Sequence, residues 1–176
     1  MRQPATELVL GIDPGTASMG VSLVTKKGHK LELISYDCLR TTSKHTAAER
    51  LHLLHSALNA FMKKHKPKTL AIEKLFFSKN VTTGISVAQA RGIALLAAAQ
   101  ANIEVFEYNP QQVKLAVTGY GAADKRQVQE MVKRLLGLSE IPKPDDAADA
   151  IAIAICHLNT NRTPPCPPQD DTRRRR

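Results

Sequence analysis

The residues Glu7–Gly20, ELVLGIDPGTASMG, decide the fold that this chain can adopt. Their first part, Glu7–Ile12, is short and mostly apolar, which predicts a buried strand with Asp13 at its end. Pro14-Gly15 then predicts a tight turn. The chain continues into a second predicted strand, Met19–Lys26. An acidic side chain is therefore expected where a buried strand ends and the chain reverses direction.

Beyond this stretch the sequence alternates between strand and helix patterns. Lys27-Gly28 predicts a hairpin turn, and apolar residues at helical spacing predict helices. The remaining predicted strands are Lys30–Tyr36, Thr69–Ile72 and Val105–Tyr108, and the predicted helices are Thr46–His65, Val81–Gln100, Gln111–Val117, Asp124–Leu136 and Asp145–Leu158. An opening meander followed by βαβ units indicates an α/β protein with an RNase H-like mixed five-stranded sheet, flanked by helices on both faces.

The length of 176 residues suits one domain with a short tail. We expect the domain to span residues 7–160. Residues 161–176 are rich in Pro, then polar, and end in four Arg, so a disordered tail is expected there.

The chain carries a net charge of +9, of which the tail from Arg162 onward contributes +3 and the body +6. A basic body favours a polyanionic partner, and nucleic acid before a membrane. Cys38, Cys156 and Cys166 lack the spacing of a disulfide framework or a zinc ribbon. Neither a signal peptide nor a membrane-spanning run is evident, so a cytoplasmic protein without membrane contact is expected.

Acidic residues occur where the predicted elements begin and end. Asp13 ends the first strand, and Glu73 follows a strand that can lie beside it, so both carboxylates would emerge at one edge of the sheet. Asp146 and Asp149 share a face of the last helix, and Asp145 shares it too, so helix geometry does not choose between the neighbouring acids. Taken singly, Asp13 could be a turn residue, Glu73 part of a surface ion pair, and Asp145 and Asp146 capping residues. Asp149 lies among small apolar residues of the helix, where a charge needs a partner.

Carboxylates brought together repel one another and raise each other's pKa. Hard divalent cations relieve this repulsion, and ligand sets made of oxygen select Mg²⁺ or Mn²⁺. Two such ions about 3.5–4 Å apart can activate a water and stabilise the leaving oxygen of a phosphodiester. The acids therefore predict a site for Mg²⁺ or Mn²⁺ at which two ions can assist phosphodiester chemistry.

Five stretches between about Leu8 and His157 resemble, in order and spacing, the characteristic blocks of the RuvC family of Holliday-junction resolvases. They are GIDPGTASMG, AIEKLFFSKN, AQARGIALLAA, FEYNPQQVKLAVTGYGAADKRQVQ and PDDAADAIAIAICH. The resemblance implies a homodimeric, Mg²⁺-dependent endonuclease of RNase H-like fold. Such an enzyme resolves four-way DNA junctions by paired symmetric nicks, in homologous recombination and DNA repair. A branch-migration helicase complex is the further partner that the resemblance implies.

The same resemblance implies roles for individual residues. The catalytic and metal-binding carboxylates would be Asp13, Glu73, Asp146 and Asp149, with the D-A-A-D spacing of the family favouring Asp146 over Asp145. Phe76 would contact bases near the crossover, and Lys114 and Lys125 would lie near the scissile phosphate. Without the resemblance, one of the two aromatics of this loop could pack into the core, and we expect Phe77 rather than Phe76 to do so. Lys114 taken alone would be interpreted as a solvated helix residue.

Three other functions are compatible with parts of the sequence. Asp13-Pro14-Gly15-Thr16 is similar to the phosphate loop of actin-like ATPases and sugar kinases, but these need two domains and leave the acids of the last helix unexplained. A non-catalytic DNA-binding module would not keep carboxylates beside DNA phosphates without metal. A nuclease of the same fold that acts on RNA or linear DNA would need the same acids, so these acids do not discriminate.

The predicted helix Val81–Gln100 is unusually rich in alanine. Small side chains at Ala88, Ala90, Ala94 and Ala97–Ala99 permit close approach of another surface. That surface could be a second subunit or the sheet of the same subunit, and the sequence favours neither.

Overall fold

The computed structural model describes residues 7–74 and 81–160 of the chain. Its elements lie in the order that the sequence predicts. They are β1 (Glu7–Asp13), β2 (Ser18–Lys27), β3 (Lys30–Arg40), α1 (Ala47–His65), β4 (Thr69–Glu73), α2 (Val81–Gln100), β5 (Glu104–Tyr108), α3 (Pro110–Thr118), α4 (Lys125–Leu136) and α5 (Asp145–Asn159).

Strand β1 lies at the centre of a sheet with the strand order β3-β2-β1-β4-β5. The first three strands form an antiparallel meander, whereas β4 runs parallel to β1 and β5 parallel to β4. The predicted mixed five-stranded sheet is therefore confirmed. Because Ile12 of β1 pairs with Ile72 of β4, the last residues of these strands, Asp13 and Glu73, reach the same edge of the sheet.

Helices cover both faces of the sheet, as predicted. Successive side chains of a strand point to opposite faces, so the apolar residues of the central strands supply two cores. On one face, Leu10 and Ile12 pack in a cluster with α1 and α2. On the other face, Val9 and Ala71 pack in a cluster with α3, α4 and α5.

Helix α5 is the most deeply buried helix, since it lies across β1 and β2. From Ala147 to His157 every residue except Asp149 is buried. His157 is one of these buried residues, and the Tyr108 hydroxyl lies 2.8 Å from its Nδ1 atom. A charged side chain in this helix can therefore avoid the buried core mainly at the edge of the sheet.

Two glycines let the main chain of α5 come close to the sheet. A Cβ atom on Gly11 would collide with the main-chain oxygen of Ala150, and one on Gly20 would collide with that of Asp146. Neither position leaves room for any side chain, and the atoms in the way are main-chain atoms that cannot rotate aside. The first turn of α5 is thereby held next to the ends of β1 and β4.

Capping residues set the start of three helices. Thr46, Asn109 and Asp124 each accept a hydrogen bond from the main-chain N–H three residues later, and each takes part in a capping box. The sequence predicted Thr46 and Asp124 as the first helical residues. Both are N-caps instead, so their helices begin one residue later.

The largest difference from the predicted boundaries is at β3. This strand runs on to Arg40 instead of ending at Tyr36, because Leu39 and Arg40 pair with Met19 and Ser18 of β2. Leu39 also packs against the α1–α2 core. Pairing with a neighbouring strand, which local alternation does not encode, therefore decides where β3 ends.

Several predictions from the sequence concern residues outside the described ranges: the role of Phe76, the tail 161–176 and Cys166. Cys38 and Cys156, which the structure describes, are free thiols. None of the helices in residues 7–74 and 81–160 is long and apolar enough to cross a membrane.

The contact between Gly20 and α5 can be tested by substitution. We expect Gly20→Ala to lower the free energy of unfolding by more than about 3 kcal/mol, because overpacking against a main-chain atom forces the helix away from the sheet. The matched control is Gly121→Ala, where the nearest atom to the new Cβ lies 3.7 Å away and the change should be about 0.5 kcal/mol or less. Urea unfolding measures both, and equal stabilities would contradict the proposed tight contact.

Candidate active site

A cleft of about 220 Å³ opens at the edge of the sheet where β1 and β4 end. Asp13, Glu73 and Asp149 line it together with Lys114 and Lys125. The other lining residues carry no charge: Pro110, Val113, Val128, Ala152 and Ile153. Three of the four predicted carboxylates and both predicted lysines thus meet at one place, although they come from β1, β4, α3, α4 and α5.

Asp13 is the most strongly perturbed acid of the cleft. Burial raises the pKa of its carboxyl group to about 7, and the negative charges of Asp149, Glu73 and Asp146 add to this effect. The charge of Lys125 opposes the rise without cancelling it. At neutral pH the Asp13 carboxyl group is therefore only partly ionised unless a cation compensates its charge.

Glu73 and Asp149 show the same effect in the same direction. Burial raises the pKa of Glu73, the charge of Asp149 raises it further, and Lys114 lowers it. Burial also raises the pKa of Asp149, although a hydrogen bond and the charge of Lys125 oppose the shift. The three carboxylates therefore behave as one cluster whose negative charge is not fully balanced.

Lys125 contributes most to that partial balance. It is the first residue of α4, and its Nζ atom lies 3.1 Å from a carboxylate oxygen of Asp149 and 3.1 Å from one of Asp145. Burial alone would lower the pKa of Lys125, but the hydrogen bonds to Asp145 and Asp149 outweigh it and the net shift is upward. Lys125 is therefore held as a cation at the cleft.

Asp145 and Asp146 point in different directions from the first turn of α5. Asp146 accepts a hydrogen bond from the Ser18 hydroxyl of β2, and its charge raises the pKa of Asp13. Asp145 has a side chain that is 65% exposed and faces α4, where Lys125 and the Gln129 amide, at 3.1 Å, both bind it. The geometry thus associates Asp146, rather than Asp145, with Asp13.

Ser18 and Cys38 surround Asp146, and the sequence predicted no part in the site for either residue. Besides the hydrogen bond from Ser18, the Cys38 thiol lies 3.9 Å from the same carboxylate oxygen. Gly20 has no side chain and so leaves room for the main chain of Asp146. The available signal was the position of Ser18 and Gly20 in the block that begins with Asp13, but only the packing of α5 on β2 shows what they contact.

The turn after Asp13 is held by a hydrogen-bond network that includes Thr41, Arg50 of α1 and Ser86 of α2. The Thr41 hydroxyl donates to the main-chain oxygen of Thr16 at 2.6 Å, and Arg50 of α1 donates to Thr41 at 2.8 Å. The Thr16 hydroxyl is hydrogen-bonded to Ser86 of α2. These contacts fix the position of the main chain that follows Asp13.

Phe76 cannot be placed relative to this cleft, since it lies outside the described residues. Its predicted contact with DNA bases therefore stays a prediction.

The donor set of the cleft suits hard cations, because every candidate ligand is a carboxylate oxygen. As the side chains stand, no three His, Cys, Asp or Glu residues of the described ranges are close enough together to bind one ion. Two observations nevertheless fit cation binding: Asp13 resists ionisation in its present surroundings, and a lysine ammonium is already drawn against Asp149.

The chain can be compared with known proteins on this basis. The family model described as crossover junction endodeoxyribonuclease RuvC matches residues 9–157. A protein of that name from Desulfitobacterium hafniense is 57% identical over 153 residues, which cover 87% of this chain and 93% of the relative.

Solved structures agree with the sequence comparison. The structure of Thermus thermophilus RuvC in complex with a Holliday junction substrate is 36% identical, with a TM-score of 0.82, and the match covers 87% of this chain and 93% of that one. The yeast mitochondrial Holliday junction resolvase, at 14% identity and a TM-score of 0.65 over 87% of this chain and 78% of its own, shares the fold. The resemblance expected from the sequence blocks is confirmed, and the chain belongs to the RuvC family of crossover junction endodeoxyribonucleases.

Proposed function

We propose that the protein resolves four-way DNA junctions by hydrolysing phosphodiester bonds at the cleft between β1, β4 and α5. The observation that carries this proposal is the convergence of Asp13, Glu73 and Asp149 on one cleft, where the only other charged lining residues that the structure describes are two lysines. Family membership supplies the class of reaction, that of a nuclease hydrolase. The junction as substrate follows from the Thermus thermophilus relative, which was solved with one.

Divalent cations are part of this proposal, since the family is metal-dependent. We propose that Asp13, Glu73, Asp146 and Asp149 hold two Mg²⁺ ions, for which Mn²⁺ can substitute. When bound, such ions activate a water for attack and stabilise the leaving oxygen of the phosphodiester. The support lies in the chain itself, namely in carboxylates whose pKa values are raised by burial and by mutual repulsion.

The lysines of the cleft would orient the DNA. Lys114 and Lys125 line the same cleft as the acids, so a phosphate that approaches the carboxylates also approaches two ammonium groups. Their positive charge offsets the repulsion between the acids and the DNA backbone. Phe76 would complete the site by contacting unpaired bases near the crossover.

Two matched nicks on a junction with two-fold symmetry require two sites related by the same symmetry, which a homodimer provides. The alanines considered for its interface are mostly unavailable, because they are buried within the subunit: Ala90, Ala94, Ala97 and Ala98. The exposed face of α2 instead carries Ile85 and Leu96, which are 54% and 48% exposed, with Gly92 between them. Since these residues share one helix face, we assign the dimer contact to it.

The wider role of the protein extends this proposal. Residues 7–160 would form the nuclease domain, and residues 161–176 a separate tail. A Holliday-junction resolvase acts in homologous recombination and DNA repair. The branch-migration helicase as partner and the cytoplasmic location stay predictions.

The substrate and the carboxylates can be tested together. With Mg²⁺, the protein should cut a synthetic four-way junction at paired positions and leave linear duplex and a DNA–RNA hybrid intact. Asp13→Asn, Glu73→Gln and Asp149→Asn should each slow cleavage more than about 100-fold, because loss of even an outer partner of a metal site costs 10–100-fold. Junction binding should persist, since basic groups supply most of the affinity.

Asp124→Asn is the matched control for these variants. It removes one acid that precedes Lys125 in the chain and keeps a good helix cap, so it should cleave at nearly the wild-type rate. Wild-type cleavage by one of the acid variants would refute the role of that acid. Equal cleavage of linear duplex would favour a general nuclease.

The raised pKa of Asp13 predicts how stability depends on pH in the absence of metal. Because its pKa of about 7 lies above the ordinary value of 3.8, the contribution of Asp13 to stability is fully present below pH 3.8 and is lost as pH rises through about 7. Asp13→Asn cannot ionise, so with EDTA at pH 8 it should be more stable than the wild type by about 1–4 kcal/mol. Urea unfolding should show that this advantage vanishes near pH 4 and shrinks when Mg²⁺ is added at pH 8. An advantage independent of pH would contradict the assignment.

The proposed dimer contact can be tested by sedimentation. Leu96→Glu places a charge in an apolar contact, so it should convert a dimer at micromolar concentration into a monomer. Ile34→Glu alters a residue of similar exposure, 52%, on the edge strand β3 and should leave the dimer intact. Dimers in both variants would show that the contact lies elsewhere.

A further inference from the structure

The Lys125 ammonium is shared between two carboxylates of the same helix. Asp145 and Asp149 lie one turn apart on α5, and Lys125 reaches across from α4 to bind both at 3.1 Å. Lys125 has three N–H donors, so both contacts can be made at once. This bridging contact is the only ion pair that the structure describes at the cleft.

The two carboxylates differ in their surroundings. Asp149 lines the cleft, and its side chain is 34% exposed. Asp145 lies outside, with a side chain that is 65% exposed, and Gln129 of α4 donates a second hydrogen bond to it at 3.1 Å. Asp145 is therefore oriented toward α4 by two partners, whereas Asp149 is oriented toward Asp13 and Glu73.

A divalent cation and Lys125 compete for Asp149. Both are positive, so a cation bound at Asp149 repels the ammonium from its present position. An ammonium with no other acceptor would then have to return to water or continue to oppose the cation. With Asp145 as its second acceptor, it can leave Asp149 and still keep one charged hydrogen bond.

We propose that Asp145 is a positioning residue that holds Lys125 at the mouth of the cleft while Asp149 exchanges the lysine for a divalent cation. The released N–H of Lys125 then points to the place where a DNA phosphate approaches the acids. Asp145 is on this account not a metal ligand, although it is adjacent to Asp146 in the chain. The inference rests on the proposed function of the cleft and assigns a part in it to Asp145.

A double-mutant cycle tests this arrangement on the protein without DNA. Mn²⁺ binding to the full chain is measured by calorimetry for the wild type, Asp145→Asn, Lys125→Met and the double variant. Lys125→Met keeps the aliphatic stem and removes the competing charge, so it should bind Mn²⁺ more tightly. Asp145→Asn should weaken binding about two- to fivefold, the range of an exposed ion pair.

The decisive comparison is the effect of Asp145→Asn in the two backgrounds. If Asp145 acts through Lys125, Asp145→Asn changes Mn²⁺ affinity only when Lys125 is present, and the double variant binds like Lys125→Met. An equal loss in both backgrounds would show that Asp145 is a ligand itself and would overturn the inference. No loss in either background would overturn it as well.

Two further variants distinguish a role of Asp145 in positioning Lys125 from an effect of net charge. Asp145→Glu keeps a charged acceptor and should restore Mn²⁺ affinity to within twofold or so of the wild type. Asp124→Asn removes one negative charge next to Lys125 without touching this contact and should leave the affinity unchanged. A loss in Asp124→Asn equal to that in Asp145→Asn would reduce the effect to net charge and overturn the inference.

Failure of this inference is distinguishable from failure of the proposed function. If the wild type binds Mn²⁺ and cuts junctions but the cycle shows no coupling, only the role of Asp145 is wrong. If the wild type binds no Mn²⁺ and cuts no junction, the proposed function fails, and the inference fails with it.

Discussion

The main chain of α5 lies directly against β1 and β2, and the arrangement of the charged side chains depends on this contact. Gly11 and Gly20 make it possible, because at both positions a side chain would occupy the space of a main-chain oxygen of α5. The helix then presents its first turn to the ends of β1 and β4. Acids that lie far apart in sequence, such as Asp13 and Asp149, meet only because these two main-chain surfaces touch.

Bringing these acids together has an electrostatic cost, which the raised pKa of Asp13, at about 7, reflects. Lys114 and Lys125 reduce the cost but leave the cluster short of positive charge. The protein as a whole carries a net charge of +9. The net positive charge of the protein therefore attracts a polyanion. The negative charge of the cleft carboxylates must be balanced by cations before a phosphate of that polyanion can approach them. Both properties suit a metal-dependent nuclease.

Much of the fold was predictable because its signals are local. Apolar periodicity, turn residues and caps identified all ten elements that the structure describes, in order. The end of β3 was missed because it depends on pairing of Leu39 with Met19 across the sheet. The alanines of α2 were ambiguous for the same reason: Ala90 and Ala94 are buried within the subunit, which their identity alone does not reveal.

The sequence by itself determined which residue types end each strand, the family of the chain and the set of candidate acids. Only the tertiary structure decided the directions of Asp145 and Asp146, one toward Lys125 of α4 and the other toward Ser18 of β2. Helical periodicity does not distinguish the two acids, because it describes positions within the helix and not the elements that pack around it. Their partners belong to elements on different sides of α5, and where those elements pack depends on contacts between distant parts of the chain.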